Sequence, residues 1–207
     1  TKNDSKYWSW RNILTYNRTF NDKHNINAMV GQEMSENHWE TQESRATGYL
    51  SNSAQDPSAG GQVDGSGYQD NSSILSYFGR AFYSFADRYL LTATIRRDGS
   101  SKFAKNNRWG WFPSAALAWR MSEEDFLKDV EWLDNLKLRL SYGITGNNNV
   151  GDYATSYYTS GPSYAVIGGN EFQGYYGNGI IDQALMWEKI KEFNFGVDFA
   201  VLQNRIN

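Results

Sequence analysis

The acidic run Ser122 to Phe126, SEEDF, is the first place to look for chemistry, because neighbouring carboxylates can hold a cation or move a proton. Either task needs partners converging from elsewhere, and the two histidines, His24 and His38, lie far off in sequence. The plainer reading is a capped, briefly helical turn, in which Ser122 accepts from the backbone and Asp125 stands three residues on. The run Arg96 to Phe103, RRDGSSKF, holds serines and an aspartate but no histidine base, which argues against a hydrolase triad. It reads as a polar hairpin loop with Asp98-Gly99 favouring the turn. Gly146 to Asp152, GNNNVGD, lacks the spaced acidic ligands of a calcium loop. Gly60 to Gly67, GGQVDGSG, lacks the lysine and following helix of a phosphate loop. Both histidines are expected to be solvated loop residues. The chain has no cysteine, which removes thiolate metal sites, disulfides and cysteine nucleophiles. No catalytic, cofactor or metal site is expected.

One aromatic cluster offers binding rather than reaction chemistry. Tyr153, Tyr157, Tyr158, Tyr164, Phe172, Tyr175 and Tyr176 stand among glycines and serines in one long segment. Exposed rings with small polar neighbours form contact platforms for a ligand or a partner. The blander reading is that they pack on one another and stiffen a long loop.

The elements that must position these residues are strands. Aromatic residues make up 16% of the 207, with 19 glycines and only 3 prolines, a profile that favours strands and turns. Gly110 to Met121 alternates, with Trp111, Pro113, Ala115, Leu117, Trp119 and Met121 on one face and Phe112, Ser114, Ala116, Ala118 and Arg120 on the other. Asn135 to Thr145 sets Leu136, Leu138, Leu140, Tyr142 and Ile144 against Lys137, Arg139, Ser141 and Gly143. Arg88 to Arg97, Ser73 to Phe85 and Trp187 to Val201 alternate likewise, the last placing Phe193, Phe195, Val197 and Phe199 opposite Glu192, Asn194 and Asp198. Tyr7 to Phe20 and His24 to Gln32 are weaker strands, and Arg205 to Asn207 is read as the start of an eighth.

The connections alternate in length. Asn21 to Lys23, Phe85 to Arg88 and Leu202 to Asn204 are short, whereas Glu33 to Ser72 and Asn147 to Met186 are long and polar. Long loops at one end and tight turns at the other form the pattern of an outer-membrane barrel. The longest apolar run is Ala115 to Trp119, and mean hydropathy is −0.68, so no helix crosses a membrane here. Trp111 and Trp119 are eight residues apart on one face. At ~3.3 Å per residue and a tilt of about 40° they stand roughly 20 Å apart along the membrane normal, close to an apolar band with two aromatic girdles. Trp8, Trp10, Tyr77, Trp111, Tyr142 and Trp187 then mark the extracellular rim. Phe20, Phe85, Tyr89, Trp119 and Phe199 mark the periplasmic rim. Arg97 and Lys189, outward near strand ends, reach the headgroups. Arg80, Arg96, Arg120, Lys137, Arg139, Glu192 and Asp198 line a polar lumen. The fold class is therefore all-β, an antiparallel up-and-down transmembrane β-barrel segment with long extracellular loops and outer-membrane lipid as its surroundings. A net charge of −3 argues against nucleic acid as a partner.

The stretches Ser76 to Asp129, Leu133 to Tyr153 and Met186 to Ile206 carry a co-linear resemblance to the barrel of SusC/RagA-type TonB-dependent outer-membrane transporters. Met29-Val30-Gly31-Gln32-Glu33 extends it into the first seventy residues. The resemblance implies a barrel of 22 strands, of which 1–207 supplies seven and a fragment of an eighth. It implies a plug, a TonB box and a signal peptide outside this fragment, with no leader visible at its start. It further implies energy-coupled import of a glycan, oligosaccharide or peptide under a SusD-like lipoprotein lid, in the outer membrane of a Gram-negative bacterium, with TonB as partner through the plug. No matched motif is catalytic or cofactor-binding. The competing reading is a soluble, aromatic-rich carbohydrate-binding β-sandwich, whose apolar faces a second sheet would bury. An enzyme ranks behind both.

Overall fold

A computed structural model describes residues 1–51, 53, 56–152, 155, 159–177, 182–202 and 205. Seven strands form one antiparallel sheet: β1 (Lys2–Phe20), β2 (His24–Thr47), β3 (Gln62–Phe85), β4 (Tyr89–Ser100), β5 (Trp109–Arg120), β6 (Leu133–Asn147) and, after a separate hairpin, β9 (Glu188–Val201). The hairpin is β7 (Thr159–Ile167) with β8 (Asn170–Gly177). Every strand of the large sheet lies beside its sequence neighbour, with β9 next to β6. The alternation places the strands correctly, because a one-residue slip would move every apolar side chain to the wrong face.

The tight turns are built for this. Lys23 N–H donates to Phe20 O, and Arg88 N–H donates to Phe85 O. The central pairs, Asn21-Asp22 and Ala86-Asp87, all have positive φ. This is the twist-compatible hairpin geometry in which both central residues are left-handed.

Strand lengths separate the sheet into two zones. β4 and β5 have 12 residues each, about 30 Å of membrane normal at a 40° tilt. β2 and β3 have 24 each, about 60 Å. The segment Glu33 to Ser72, expected to be loop, is therefore mostly paired strand: Glu33 opposes Ser76 and the ladder continues to Thr47 opposite Gln62. Its composition hid it, since both faces are wet there and the pattern has no apolar period. The expected long loop 147–186 contains the β7–β8 hairpin.

Other expectations are corrected. Asp98-Gly99 is not a turn but the end of β4, opposite Gly110 and Trp109, because Arg96 holds Asp98 in the strand. The helical turn after β5 is a 3-10 turn, Met121–Glu123, with no side-chain cap, and Ser122 Oγ is buried without a partner. His24 and His38 both lie in β2, hydrogen-bonded to Tyr83 and Asn71. Arg205 stands in a turn, and the rest of the expected eighth strand, residues 206–207, lies outside the described residues.

The two faces differ as the alternation requires. Leu14, Val30, Leu91, Ile95, Leu117, Phe193 and Phe195 stand exposed on one face. Among the described residues no second sheet covers them: β7 pairs with β8 alone. The sandwich reading fails on this point. On that face, at the tight-turn end, Phe85 stacks on Tyr89 and Tyr89 on Trp119, with centroids 6.3 and 6.2 Å apart. At the other end Tyr77 stacks on Trp109, and Arg97 lies over the Trp109 and Trp111 rings at 4.4 and 5.2 Å. These are the two expected girdles, with Trp109 added and Trp187 removed.

Trp187 is buried on Phe103 and Phe112, with Ile144, Val150 and Leu185 around them. Pairing of β5 with β6 ends at Ser114 opposite Gly143. Beyond it the Phe112 ring lies directly over Gly110 and Gly146, where any β-carbon would collide with it. Ile144, expected outward, turns into this small core.

Candidate functional site

The opposite, inner face carries the candidate site. Alternation on β1, β2, β3 and β4 aligns Arg11, Glu33, Ser76 and Asp98 in one cross-strand row. Arg11 pairs with Glu33 at 2.6 Å. Arg96 grips Asp98 through Nε at 2.7 Å, donates to Ser76 Oγ at 2.8 Å and lies 4.0 Å from Glu33. With Arg96 reaching over Ser76, charge alternates from Arg11 through Glu33 and Arg96 to Asp98. Exposed ion pairs contribute little stability, about 0–1 kcal/mol each. What the row supplies is a wet, charged wall, as a lumen requires.

Nearer the tight turns, Asn17, Asn25, Asn27, Arg80, Phe82 and Thr92 line an open depression of about 500 Å³. Arg139 meets Asp198 at 2.6 Å across β6 and β9. Of the expected lumen residues, Arg80, Arg96, Arg139 and Asp198 take these inner positions. Arg120 instead ties turns together, through Glu123 and the Asp87 carbonyl.

The loop 101–108 folds back toward the inner face and is anchored at three points. Phe103, 1% exposed, plugs into the core with Phe112 and Trp187. Trp187 Nε1 donates to the Arg108 carbonyl at 2.9 Å. Lys102 pairs with Asp152 at 2.8 Å and donates to the Val150 carbonyl, fastening the chain that follows β6. Asp70, from the extension of β3, abuts Asp152. Burial, and then the neighbouring Asp152, push the Asp70 carboxyl above its usual range. Burial works against the Asp152 charge as well, but hydrogen bonds from Lys102 and Asp70 hold it below that range. The one cation at this contact, Lys102, thus favours the charge on Asp152 over that on Asp70.

At the opposite end Glu124 gathers the girdle beside the tight turns. Trp119 Nε1 donates to it at 3.0 Å and Arg88 pairs with it at 3.2 Å. Hydrogen bonds from Tyr89 and then Trp119 hold its carboxyl below the usual range. The SEEDF run is therefore structural chemistry. Among the described residues no group of acids and histidines is placed to hold a metal.

Of the aromatic cluster, Tyr153, Tyr157 and Tyr158 lie outside the described residues. Tyr164 is in β7, and Phe172, Tyr175 and Tyr176 are in β8. The pairing sets Ala165 opposite Phe172 and Ser160 opposite Tyr176. Phe172 is exposed. Sequence reasoning missed Phe103, Lys102 and Asp152, whose juxtaposition depends on a loop folding inward and leaves no periodic signal.

A two-faced meander with girdles, an ionic inner wall and an inward-folded loop is the wall of a large barrel. Residues 1–207 match the model of the family described as TonB dependent receptor-like, beta-barrel. The chain belongs to this family. It is 45% identical over 142 residues to the TonB-dependent receptor SusC of Bacteroides thetaiotaomicron, covering 67% of this chain and 14% of that protein. It is 37% identical over 198 residues to the TonB-dependent receptor P3 of Formosa agariphila, covering 94% of this chain and 20% of that protein. The fold superposes on a chain of the RagAB peptide transporter with TM-score 0.87 and 26% identity, covering 98% of this chain and 22% of that one. The chain thus spans a fifth or so of the relatives it matches, as a SusC/RagA-type segment of a TonB-dependent β-barrel.

Proposed function

We propose that this segment forms part of the wall of an outer-membrane transporter that imports a large nutrient, a glycan, oligosaccharide or peptide, in a TonB-dependent way. The observation that carries the proposal is the pairing of an apolar, girdled outer face with an ionic inner row running from Arg11 through Glu33 and Arg96 to Asp98, in a chain of this family. Residues 1–207 belong to the barrel domain, with plug and TonB box supplied elsewhere in the whole protein. The work of this segment is to enclose and to bind, without catalysis. A SusD-like lipoprotein covers the mouth, and the segment Tyr153 to Tyr176 touches it or the substrate.

The test uses the intact protein in its own bacterium. Deleting its gene is expected to abolish growth on at least one glycan or peptide too large for porins. A protonophore is expected to stop uptake of that nutrient while leaving surface binding intact. Uptake that continued after the proton motive force had collapsed would contradict the energy coupling. Growth on every large nutrient without the gene would contradict the import reading itself.

A further inference from the structure

The extension of β1, β2 and β3 beyond the membrane carries an inner face that the charged wall does not explain. Successive inward rows set Tyr7 beside Asn37 and Ser72, then Ser5 beside Trp39 and Asp70, then Asn3 beside Thr41 and Tyr68. Tyr7, Trp39 and Tyr68 therefore form a diagonal, moving one strand across and one row outward at each step. They share a face with Arg11 and Glu33, because all are separated from that row by even numbers of residues along unbroken ladders. Tyr7 is 67% exposed and Tyr68 58%. Trp39 is half-buried, and its indole N–H is satisfied by Thr41 Oγ1 at 2.9 Å, which fixes the ring. Diagonal neighbours in a sheet lie about 7–8 Å apart, so the three rings span about 15 Å.

We propose that this diagonal is a binding platform for a neutral oligosaccharide, with Tyr7, Trp39 and Tyr68 each seating one sugar ring. The proposal rests on the import reading above and names its substrate class. A pyranose offers one face of C–H groups, which stacks on an aromatic ring, and a rim of hydroxyls, which needs small hydrogen-bonding groups beside it. The rows supply both: Asn37 beside Tyr7, Ser5 beside Trp39 and Asn3 beside Tyr68, while Ser72 and Asp70 are turned to Asp152 and Thr41 holds the Trp39 ring. A peptide is read instead by main-chain pairing at a free strand edge or by apolar side-chain pockets. Both edges of β2 are already paired here, and the residues between the rings are small and polar. An acidic glycan would need cations. No lysine or arginine occupies an inward position in these three rows; on the same face further out Glu43 stands alone and Arg45 stands opposite Asp64, and Lys102 nearby is already paired with Asp152.

The test is calorimetry on the intact transporter in detergent with maltohexaose, cellohexaose, xylohexaose, laminarihexaose and mannohexaose. At least one is expected to bind. Trp39→Ala should weaken that binding roughly tenfold, Tyr7→Ala and Tyr68→Ala should each weaken it several-fold, and Trp39→Phe should restore most of it. Heat-modifiable migration on gels confirms that each variant is an assembled barrel. Failure of all five hexaoses to bind, or equal affinity in wild type and the alanine variants, overturns the platform. Binding of a mixed octapeptide library that Trp39→Ala abolishes overturns the sugar class and leaves the import reading standing. Loss of the import reading shows separately, in growth of the gene deletion.

Discussion

Replacing Phe103 by alanine should release the loop 101–108 from the inner face without dismantling the barrel wall. Phe103 is the most deeply buried apolar side chain of a core containing Phe112 and Trp187, with three partly buried neighbours. Removing a buried phenylalanine costs about 3–5 kcal/mol. The core is small and can collapse partway, so the low end, about 3 kcal/mol, is the appropriate figure. The loss falls on local opening rather than global unfolding, because the β3–β4 and β4–β5 ladders do not run through Phe103. At 1.4 kcal/mol per tenfold, opening becomes about a hundredfold more frequent. Hydrogen exchange on the intact protein reads this directly. The amides of Phe103 and Asn107, bonded to the Ser100 and Ala104 carbonyls, and that of Ser100, bonded to Arg108, should exchange about a hundredfold faster. The Ala93 and Ala115 amides should be unchanged. Unchanged exchange in the loop would refute the claim that Phe103 anchors it.

Glu124→Gln should loosen the turn after β5, since Arg88 loses its ion pair and Trp119 its charged acceptor. The Glu124 carboxyl is held below its usual range, so its contribution is present above that range and fades as pH falls through the lowered value. The turn amides Leu127 and Lys128, bonded to Glu124 O, should therefore exchange faster on acidification in the wild type, and that component should vanish in Glu124→Gln. Lys102→Ala leaves Asp152 and Asp70 facing each other without their cation. The segment 147–152 should become more sensitive to protease, and Asp152→Asn in the same background should restore part of the protection. Deleting residues 153–176 should reduce association with a lipoprotein lid or uptake, measured by co-purification and transport; unchanged values in both would remove that hairpin from the binding surface.

The strands of the girdled zone were legible because one face is apolar and the other polar, so Leu136 to Ile144 and Trp111 to Met121 alternate cleanly. Where both faces meet water the signal disappears, and the paired extension of β2 and β3 looked like a loop. Trp187 misled for a related reason: it lies one residue before β9, where face parity no longer holds, and it turns in to Phe103. Tyr7, Trp39 and Tyr68 are far apart in sequence, and only the register shows that they share a face. The ionic row was half visible: Arg96 was readable as inward, but its partner Glu33, and Arg11 which pairs with Glu33, come from strands whose polar outer zones obscured their length.

The account depends most on the assignment of lipid and lumen faces, and one pair of adjacent residues tests it. Ala115 lies in the outward row with Ala93 and Tyr142, and Ala116 in the inward row with Thr92 and Ser141. The measurement is the folding free energy of the intact barrel in lipid vesicles for Ala115→Arg and Ala116→Arg, with Ala115→Met separating charge from bulk. Ala115→Arg should cost about 2–4 kcal/mol, and Ala116→Arg and Ala115→Met much less. Equal losses for the two arginine variants, or a larger loss at Ala116, would contradict the two-faced barrel wall.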